Sequence, residues 1–160
     1  MRGEGFVERL MKLNKFPVYL LRVGNVYGHS NSMRFDAVIN KFAFEANFLN
    51  QINIHGDGQQ TRAFIHINQL SNNLAKIPFK NIPPGIYNMI DKNHSIMDIA
   101  MLLKDLLPNL EMIFINQHLK LKDMLVDENC KIYDYLEKEP SSLKLELIEM
   151  INQFAFHPNS

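Results

Sequence analysis

Apolar residues recur along this chain with two spacings, and each predicts a kind of element. Phe6, Val7, Leu10, Met11 and Leu13 suit a short amphipathic helix over Glu4–Leu13, with Phe6, Leu10 and Leu13 near one face. Asn14-Lys15 closes that pattern, and Pro17 blocks helical continuation. Val18–Val23 is nearly continuous in apolar and β-favouring residues, the signature of a strand covered on both faces in a parallel sheet. It runs into Gly24-Asn25-Val26-Tyr27-Gly28, expected as a loop at a strand's carboxyl edge, where open α/β sheets bind ligands. Phe35, Val38, Ile39, Phe42, Ala46 and Leu49 then predict a long helix over Arg34–Asn50, its apolar face widened by Phe44 and Phe48 as core residues.

The middle of the chain, Ile52–Leu70, carries two β-rich runs, Ile52–His55 and Arg62–Ile67, around Gly56-Asp57-Gly58-Gln59-Gln60. Glycines tolerate positive φ, so a tight reversal between paired strands is expected. Arg62 stands where the chain leaves that turn. A guanidinium there can fork onto a phosphate or carboxylate, or remain a surface cation at a strand end. Beyond it, a short helix is expected at Leu70–Ala75 and a proline-marked loop at Ile77–Pro84. A strand follows at Ile86–Ile90, then a helix from Ser95 to about Leu107, with Ser95 as N-cap and Asp98 three residues on as a weaker version of the capping box. Met112–Ile115 predicts one more strand, and Ser141–Phe156 a terminal helix capped around Pro140-Ser141-Ser142.

Composition narrows the chemistry. The chain has 160 residues, enough for one domain with a substantial core, and 46% of them are hydrophobic. Seventeen basic residues balance seventeen acidic ones, so no overall field favours nucleic acid or a membrane surface, and any anion must be held locally. No apolar run approaches the roughly 20 residues of a spanning helix. Cys130 is the single cysteine, which excludes an internal disulfide and makes a reducing compartment, the cytoplasm, the expected location. His29, His55, His66, His94, His118 and His157 are scattered without ligand spacing, so no metal site is expected; His66 reads as a structural histidine.

Three segments, in order and spacing, resemble the C-terminal half of the extended short-chain dehydrogenase/reductases, the NAD(P)-dependent nucleotide-sugar epimerases and dehydratases. Leu21-Arg22-Val23-Gly24-Asn25-Val26-Tyr27-Gly28 is similar to the family's LRxxNVYGP. The run from Gly56 through Arg62 to Ile67 is similar to GDGxQxRDFIHVDD. Gly85-Ile86-Tyr87-Asn88-Met89 with Ser95-Ile96-Met97-Asp98-Ile99-Ala100 looks like GxYNVGxGxxxSxxELA. The resemblance covers about Leu20–Leu103, with a looser echo from Met124 to Leu143.

The resemblance implies an α/β fold: a C-terminal fragment of a Rossmann-type NAD(P)-binding fold with the mixed α/β substrate-binding domain. Residues 1–28 would be the last helix and strand of a truncated Rossmann-type domain. Residues 29–160 would form the substrate-binding domain, with segments packing back on the Rossmann sheet. It also implies a UDP-, dTDP-, GDP- or CDP-linked sugar as ligand, with Asn25 near its phosphates or sugar, Arg62 on the diphosphate and Arg34 as a second cation. NAD or NADP serves the full-length family.

This sequence departs from the family pattern in ways that bear on activity. Tyr19, Tyr27, Tyr87, Tyr133 and Tyr135 are followed four residues later by Val23, Asn31, Asp91, Glu137 and Glu139, so none forms the catalytic YxxxK pair. None of the seven glycines builds a strand–GxGxxG–helix unit. His29 stands where proline is usual, Ala63 where an acid follows the arginine, and Asn68-Gln69 in place of paired acids. The expectation is a chain that binds a nucleotide-sugar but lacks the cofactor loop and the proton-relay tyrosine, with no catalytic or cofactor-binding residue of its own. The alternative is a non-catalytic binding or interaction module, a remnant or half of a split enzyme, that self-associates or pairs with a missing N-terminal half.

Overall fold

In the computed structural model, residues 2–13 and 16–154 are described. Asn14 and Lys15, expected to close the first helix, and Ala155-Phe156, expected to end the last one, lie outside them. The elements are α1 (Arg2–Lys12), β1 (Tyr19–Val23), β2 (Asn25–Tyr27), α2 (Val38–Leu49), β3 (Gln51–His55), β4 (Thr61–His66), α3 (Ile67–Lys76), β5 (Gly85–Met89), β6 (Lys92–Ser95), α4 (Ile96–Leu106), β7 (Glu111–Ile115) and α5 (Leu143–Phe154). Single 3₁₀ turns occur at Ile77–Phe79 and Lys131–Asp134.

The strands form three small sheets. β1 pairs with β5 in parallel, β3 pairs with β7 in parallel, and β4 lies between parallel β2 and antiparallel β6. The segment expected as a loop at 24–28 is therefore partly a strand. Gly24 breaks the chain between β1 and β2, and its N–H still bonds the Met89 carbonyl at 3.1 Å. A Cβ at Gly24 would meet the Ala63 carbonyl oxygen and Ile90 Cγ2 at 3.0 Å, so only glycine passes easily through this crossing.

The expected hairpin of β3 and β4 does not form. Gly56 and Gly58 do take positive φ, 72° and 74°, but the turn hands the chain from one sheet to another. Ile52 and Ile54 are fully buried and pair opposite Met112 and Phe114 of β7. β4 already has β2 on one edge and β6 on the other, so no edge is left for a hairpin with β3.

Two cores lie on opposite faces of β4. Phe64 joins Ile39, Phe42, Ala46, Ile52, Ile54, Ile99, Leu103 and Leu147 in the first. Ala63 and Ile65 join Leu70, Tyr87, Met89, Ile90 and Ile132 in the second. Strand alternation explains why this central run is apolar throughout. β1 differs from expectation. Tyr19 and Leu21 pack on the second core, but Arg22 and Val23 are exposed, so β1 is not covered on both faces among the described residues. Its one partner among the described residues, β5, is supplied by this chain. α1 contributes the Arg22–Glu4 ion pair, while Phe6 on the expected apolar face is 64% exposed.

The long helix begins at Val38, four residues later than expected, and ends at Leu49, with Asn50 as its C-cap in the left-handed region at φ 51°. Ile39, Phe42, Ala43 and Ala46 are its buried face. Phe44 and Phe48, expected in the core, are instead exposed and stack beside Phe35 and Phe154. The apolar arc is wider than the surface available to cover it. Ser95 and Asp98 form the full capping box at α4. Ser141 bonds the Asp91 carboxylate, and α5 begins two residues later.

Candidate functional site

A cavity of about 570 Å³ opens between β2, the start of α2, and the β3–β4 connection. Asn25, Arg34 and Arg62, drawn from three distant parts of the sequence, all line it. Each is placed by a different local rule.

Asn25 opens β2 opposite Phe64 of β4. Its Nδ2 donates to the Ala63 carbonyl at 3.1 Å. That bond fixes the amide plane and leaves Oδ1 as an acceptor toward a ligand hydroxyl or amide.

Arg62 is the second residue of β4. Its Nη1 donates to the Thr61 carbonyl at 2.9 Å and the Lys122 carbonyl at 2.5 Å. No carboxylate pairs with it among the described residues, so the guanidinium is oriented by dipoles while its charge stays uncompensated. That is the arrangement an anion site needs.

Arg34 precedes α2 and is committed differently. Nε and Nη2 fork onto both oxygens of Asp36 at 3.0 and 2.6 Å, on the exposed surface. The hydrogen bond and charge of Asp36 push the Arg34 pKa up, and Arg34 holds the Asp36 carboxyl below the usual carboxylate range. The backbone around Arg34 is set by Asn40, whose Oδ1 accepts from the Gly28 N–H at 3.0 Å and whose Nδ2 donates to the Arg34 carbonyl at 3.1 Å. Gly28 has φ 117°, and a Cβ there would lie 2.6 Å from His66 Nε2.

Several lining residues were not singled out by the sequence. Lys41 of α2 adds a third cation, 3.7 Å from Glu45. Asn53 and His55 face the cavity because Ile52 and Ile54 take the buried side of β3. Gln60 is 94% buried (6% exposed); its Nε2 donates to the His55 carbonyl at 3.1 Å, while Oε1 has no partner among the described residues. The alternation of β3 was the available signal for Asn53 and His55. Lys41 carried none beyond its place one turn into α2.

The tyrosines serve the fold. Tyr19, Tyr87 and Tyr133 donate their hydroxyls to the carbonyls of Ile82, Pro83 and Ile90. Tyr27 donates to Glu146 at 2.5 Å, and burial together with that carboxylate raises its pKa far above the ordinary phenol value. None of the five lines this cavity. His66 caps α3, its Nδ1 accepting from the Asn68 N–H at 3.3 Å. No group of three potential metal ligands occurs among the described residues. No described helix is long and apolar enough to cross a membrane.

The architecture is α/β with parallel pairs, Rossmann-like, and the cavity lies at the amino ends of β2 and β4 and the carboxyl end of β3. The comparisons carry this further. The profile of the NAD dependent epimerase/dehydratase family matches residues 1–89, and the chain belongs to that family. It is similar to the UDP-glucuronic acid decarboxylase 1 of Xenopus tropicalis, at 30% identity over 96 residues covering 60% of this chain and 23% of that protein. It is also similar to the human dTDP-D-glucose 4,6-dehydratase (Homo sapiens), at 34% identity over 105 residues covering 66% and 29%. Among solved structures, the UDP-glucuronic acid 4-epimerase from Bacillus cereus, in complex with UDP-glucuronic acid and NAD, superposes with TM-score 0.78 at 23% identity. That match covers 96% of this chain and 51% of the other. The chain thus spans about half the length of that structure and about a quarter of the curated relatives it matches.

NAD accompanies homologous structures in this family. In the described residues, no strand passes through a glycine-rich turn into a helix N-terminus, the element that cradles a dinucleotide pyrophosphate.

Proposed function

We propose that this chain forms the nucleotide-sugar pocket of an NAD(P)-dependent sugar epimerase or dehydratase. The observation that carries the reading is the convergence of Asn25, Arg34 and Arg62 on one cavity. Arg62 takes the diphosphate, since its guanidinium is fixed and has no acid beside it among the described residues. Lys41 adds positive charge, Arg34 is a second cation whose charge Asp36 offsets, and Asn25 Oδ1 accepts from a sugar or ribose hydroxyl. Asn53, His55 and Gln60 supply hydrogen-bonding groups toward the base or ribose. The ligand is a UDP-, dTDP-, GDP- or CDP-linked sugar; relatives named for UDP- and dTDP-sugars favour the first two.

In this reading residues 1–28 belong with a Rossmann-type sheet and residues 29–160 with the substrate domain, in a cytoplasmic protein. The chain holds and orients the sugar nucleotide. Hydride transfer and the proton relay belong to groups it does not itself supply. A non-catalytic binding module is the second reading, favoured by the absence of any tyrosine from the cavity and by the structural duty of four tyrosine hydroxyls.

Calorimetric titration with UDP and dTDP, followed by assay of UDP- and dTDP-sugars with added NAD, tests both. Saturable nucleotide binding supports the pocket. Turnover by the chain alone eliminates the non-catalytic reading. Absence of binding by either nucleotide, with the chain folded, overturns the pocket itself.

A further inference from the structure

Residues 119–124 cross the entrance to β4 and fasten to it at several points. The Thr61 N–H donates to Asp123 Oδ1 at 2.7 Å. The Met124 N–H donates to the Thr61 carbonyl at 2.9 Å, and Met124 bridges in parallel to Arg62. One residue before these anchors, the Lys122 carbonyl accepts from Arg62 Nη1 at 2.5 Å. Much of this crossing segment is poorly buried: Leu119, Leu121 and Met124 are all exposed. Apolar burial therefore contributes little to holding it, and polar anchors beside Arg62 carry the task.

We infer that Asp123 is a positioning residue for Arg62. Its carboxylate takes the Thr61 N–H at the point where β4 begins and pins the crossing chain one residue away from Lys122. The Lys122 carbonyl is thereby held where it accepts from Nη1. With Nη1 shared between the Thr61 and Lys122 carbonyls, the guanidinium plane is set, and Nε and Nη2 have no acceptor among the described residues. Those two donors form the fork that meets a phosphate. Without the anchor, the fork must be ordered when the ligand binds, at a cost in affinity. Asp123 is a poor direct contact for a diphosphate, being itself an anion, and it contributes through Arg62. The inference rests on the reading of the cavity as a nucleotide-diphosphate pocket.

The test is UDP affinity of the full chain for wild type, Asp123→Ala, Asp123→Asn and Asp123→Ser, each also in an Arg62→Ala background. Asp123→Ala is expected to weaken UDP binding about three- to tenfold, one hydrogen bond's worth of orientation. Asp123→Asn keeps an oxygen acceptor for the Thr61 N–H and is expected to restore most of the affinity. With Arg62 already removed, Asp123→Ala should change affinity no further. If Asp123→Ala does not fold, Asp123→Ser, with a shorter acceptor, takes its place in the cycle. Unchanged affinity in the Asp123 variants, an equal loss without Arg62, or a loss that Asp123→Asn does not rescue overturns the inference. If wild type binds no UDP, the pocket reading fails first and the positioning role falls with it.

Discussion

The side chain of Asn93 and the backbone of Val126 exchange two hydrogen bonds: Nδ2 donates to the Val126 carbonyl at 2.8 Å, and the Val126 N–H donates to Oδ1 at 3.2 Å. An amide side chain thus replaces one rung of a strand ladder and ties the 126–128 segment to β6. Glu128 completes the join, its Oε1 accepting from the Asn93 backbone N–H at 2.9 Å and from Nδ2 at 3.1 Å. Asn93→Ala removes the side-chain bonds and is expected to cost about 1–3 kcal/mol. Chemical denaturation should show that loss with an unchanged denaturant slope. A variant as stable as wild type would mean that the 126–128 segment is held by other contacts.

The same join gives a pH dependence. The Asn93 backbone N–H is the leading cause that lowers the Glu128 pKa below its ordinary 4.5, with the Asn93 side chain, Lys138 and Lys92 adding to it. The unfolded chain therefore binds the proton more readily than the folded one. The stabilisation is present above pH 4.5 and is lost as pH falls through the lowered folded value. Glu128→Gln is expected to flatten that part of the stability–pH profile relative to wild type. Profiles of identical slope through this window would assign the acid dependence to other carboxylates.

Arg62 and Arg34 line one cavity with different commitments, which predicts unequal effects. Arg62→Ala should weaken nucleotide binding by roughly 1.5–3 kcal/mol, the scale of a charge-assisted hydrogen bond in a partly desolvated site. Arg34→Ala should cost less, because Asp36 already neutralises that guanidinium. Arg62→Lys should recover only part of the loss, since it keeps charge without the fork. Equal affinities for wild type and Arg62→Ala at matched folding would return Arg62 to the role of a surface cation.

What the sequence made legible depended on whether a feature is local. The Ser95–Asp98 cap, the buried stripe Ile39–Phe42–Ala46 and the apolar β4 follow from spacing within a few residues. The lysine, asparagine and histidine of the cavity, Lys41, Asn53 and His55, occupy the polar sides of amphipathic elements. Such sides look the same whether they meet water or a ligand. β6 escaped notice because Lys92-Asn93-His94-Ser95 has no apolar alternation; it is a strand through its pairing with β4. The choice of β7 over β4 as partner for β3 is likewise tertiary, and periodicity does not encode it. Arg62 was visible through its motif, whereas its carbonyl cradle depends on a contact sixty residues away in sequence.

Gly28 should not tolerate a side chain. Its φ of 117° is strained for any L-residue, and an added Cβ would sit 2.6 Å from His66 Nε2 and 2.7 Å from Ile67 Cγ2. Gly28→Ala is expected to destabilise the fold by about 2 kcal/mol or more, read as a lowered denaturation midpoint. It should also displace the loop that Asn40 ties to Arg34. An unchanged midpoint would show that the His66 ring and the 28–34 loop relax at little cost.

NAD(H) is expected to show no saturable binding to this chain in the micromolar range, about −8 kcal/mol. The reason is the lack, in the described residues, of a glycine turn leading into a helix N-terminus. Fluorescence titration of NADH checks this. A clear micromolar isotherm would mean that other backbone donors hold the pyrophosphate.

β1 carries the last prediction. It pairs with β5 along Tyr19↔Gly85 to Val23↔Met89, and no strand occupies its other edge among the described residues. Val23 and Ile86 are 38% and 39% exposed, and Phe6 and Phe16 are more exposed still on the segments leading into the strand. An open edge beside exposed apolar groups favours association with another chain. The isolated chain is therefore expected to self-associate with rising concentration. Amide exchange should be faster in Tyr19–Val23 than in β4, whose two neighbours and two buried faces protect it. Light scattering across a concentration series, with residue-resolved hydrogen exchange, provides the check. A concentration-independent monomer whose β1 amides are protected as strongly as those of β4 would show that β5 and α1 suffice to close this edge.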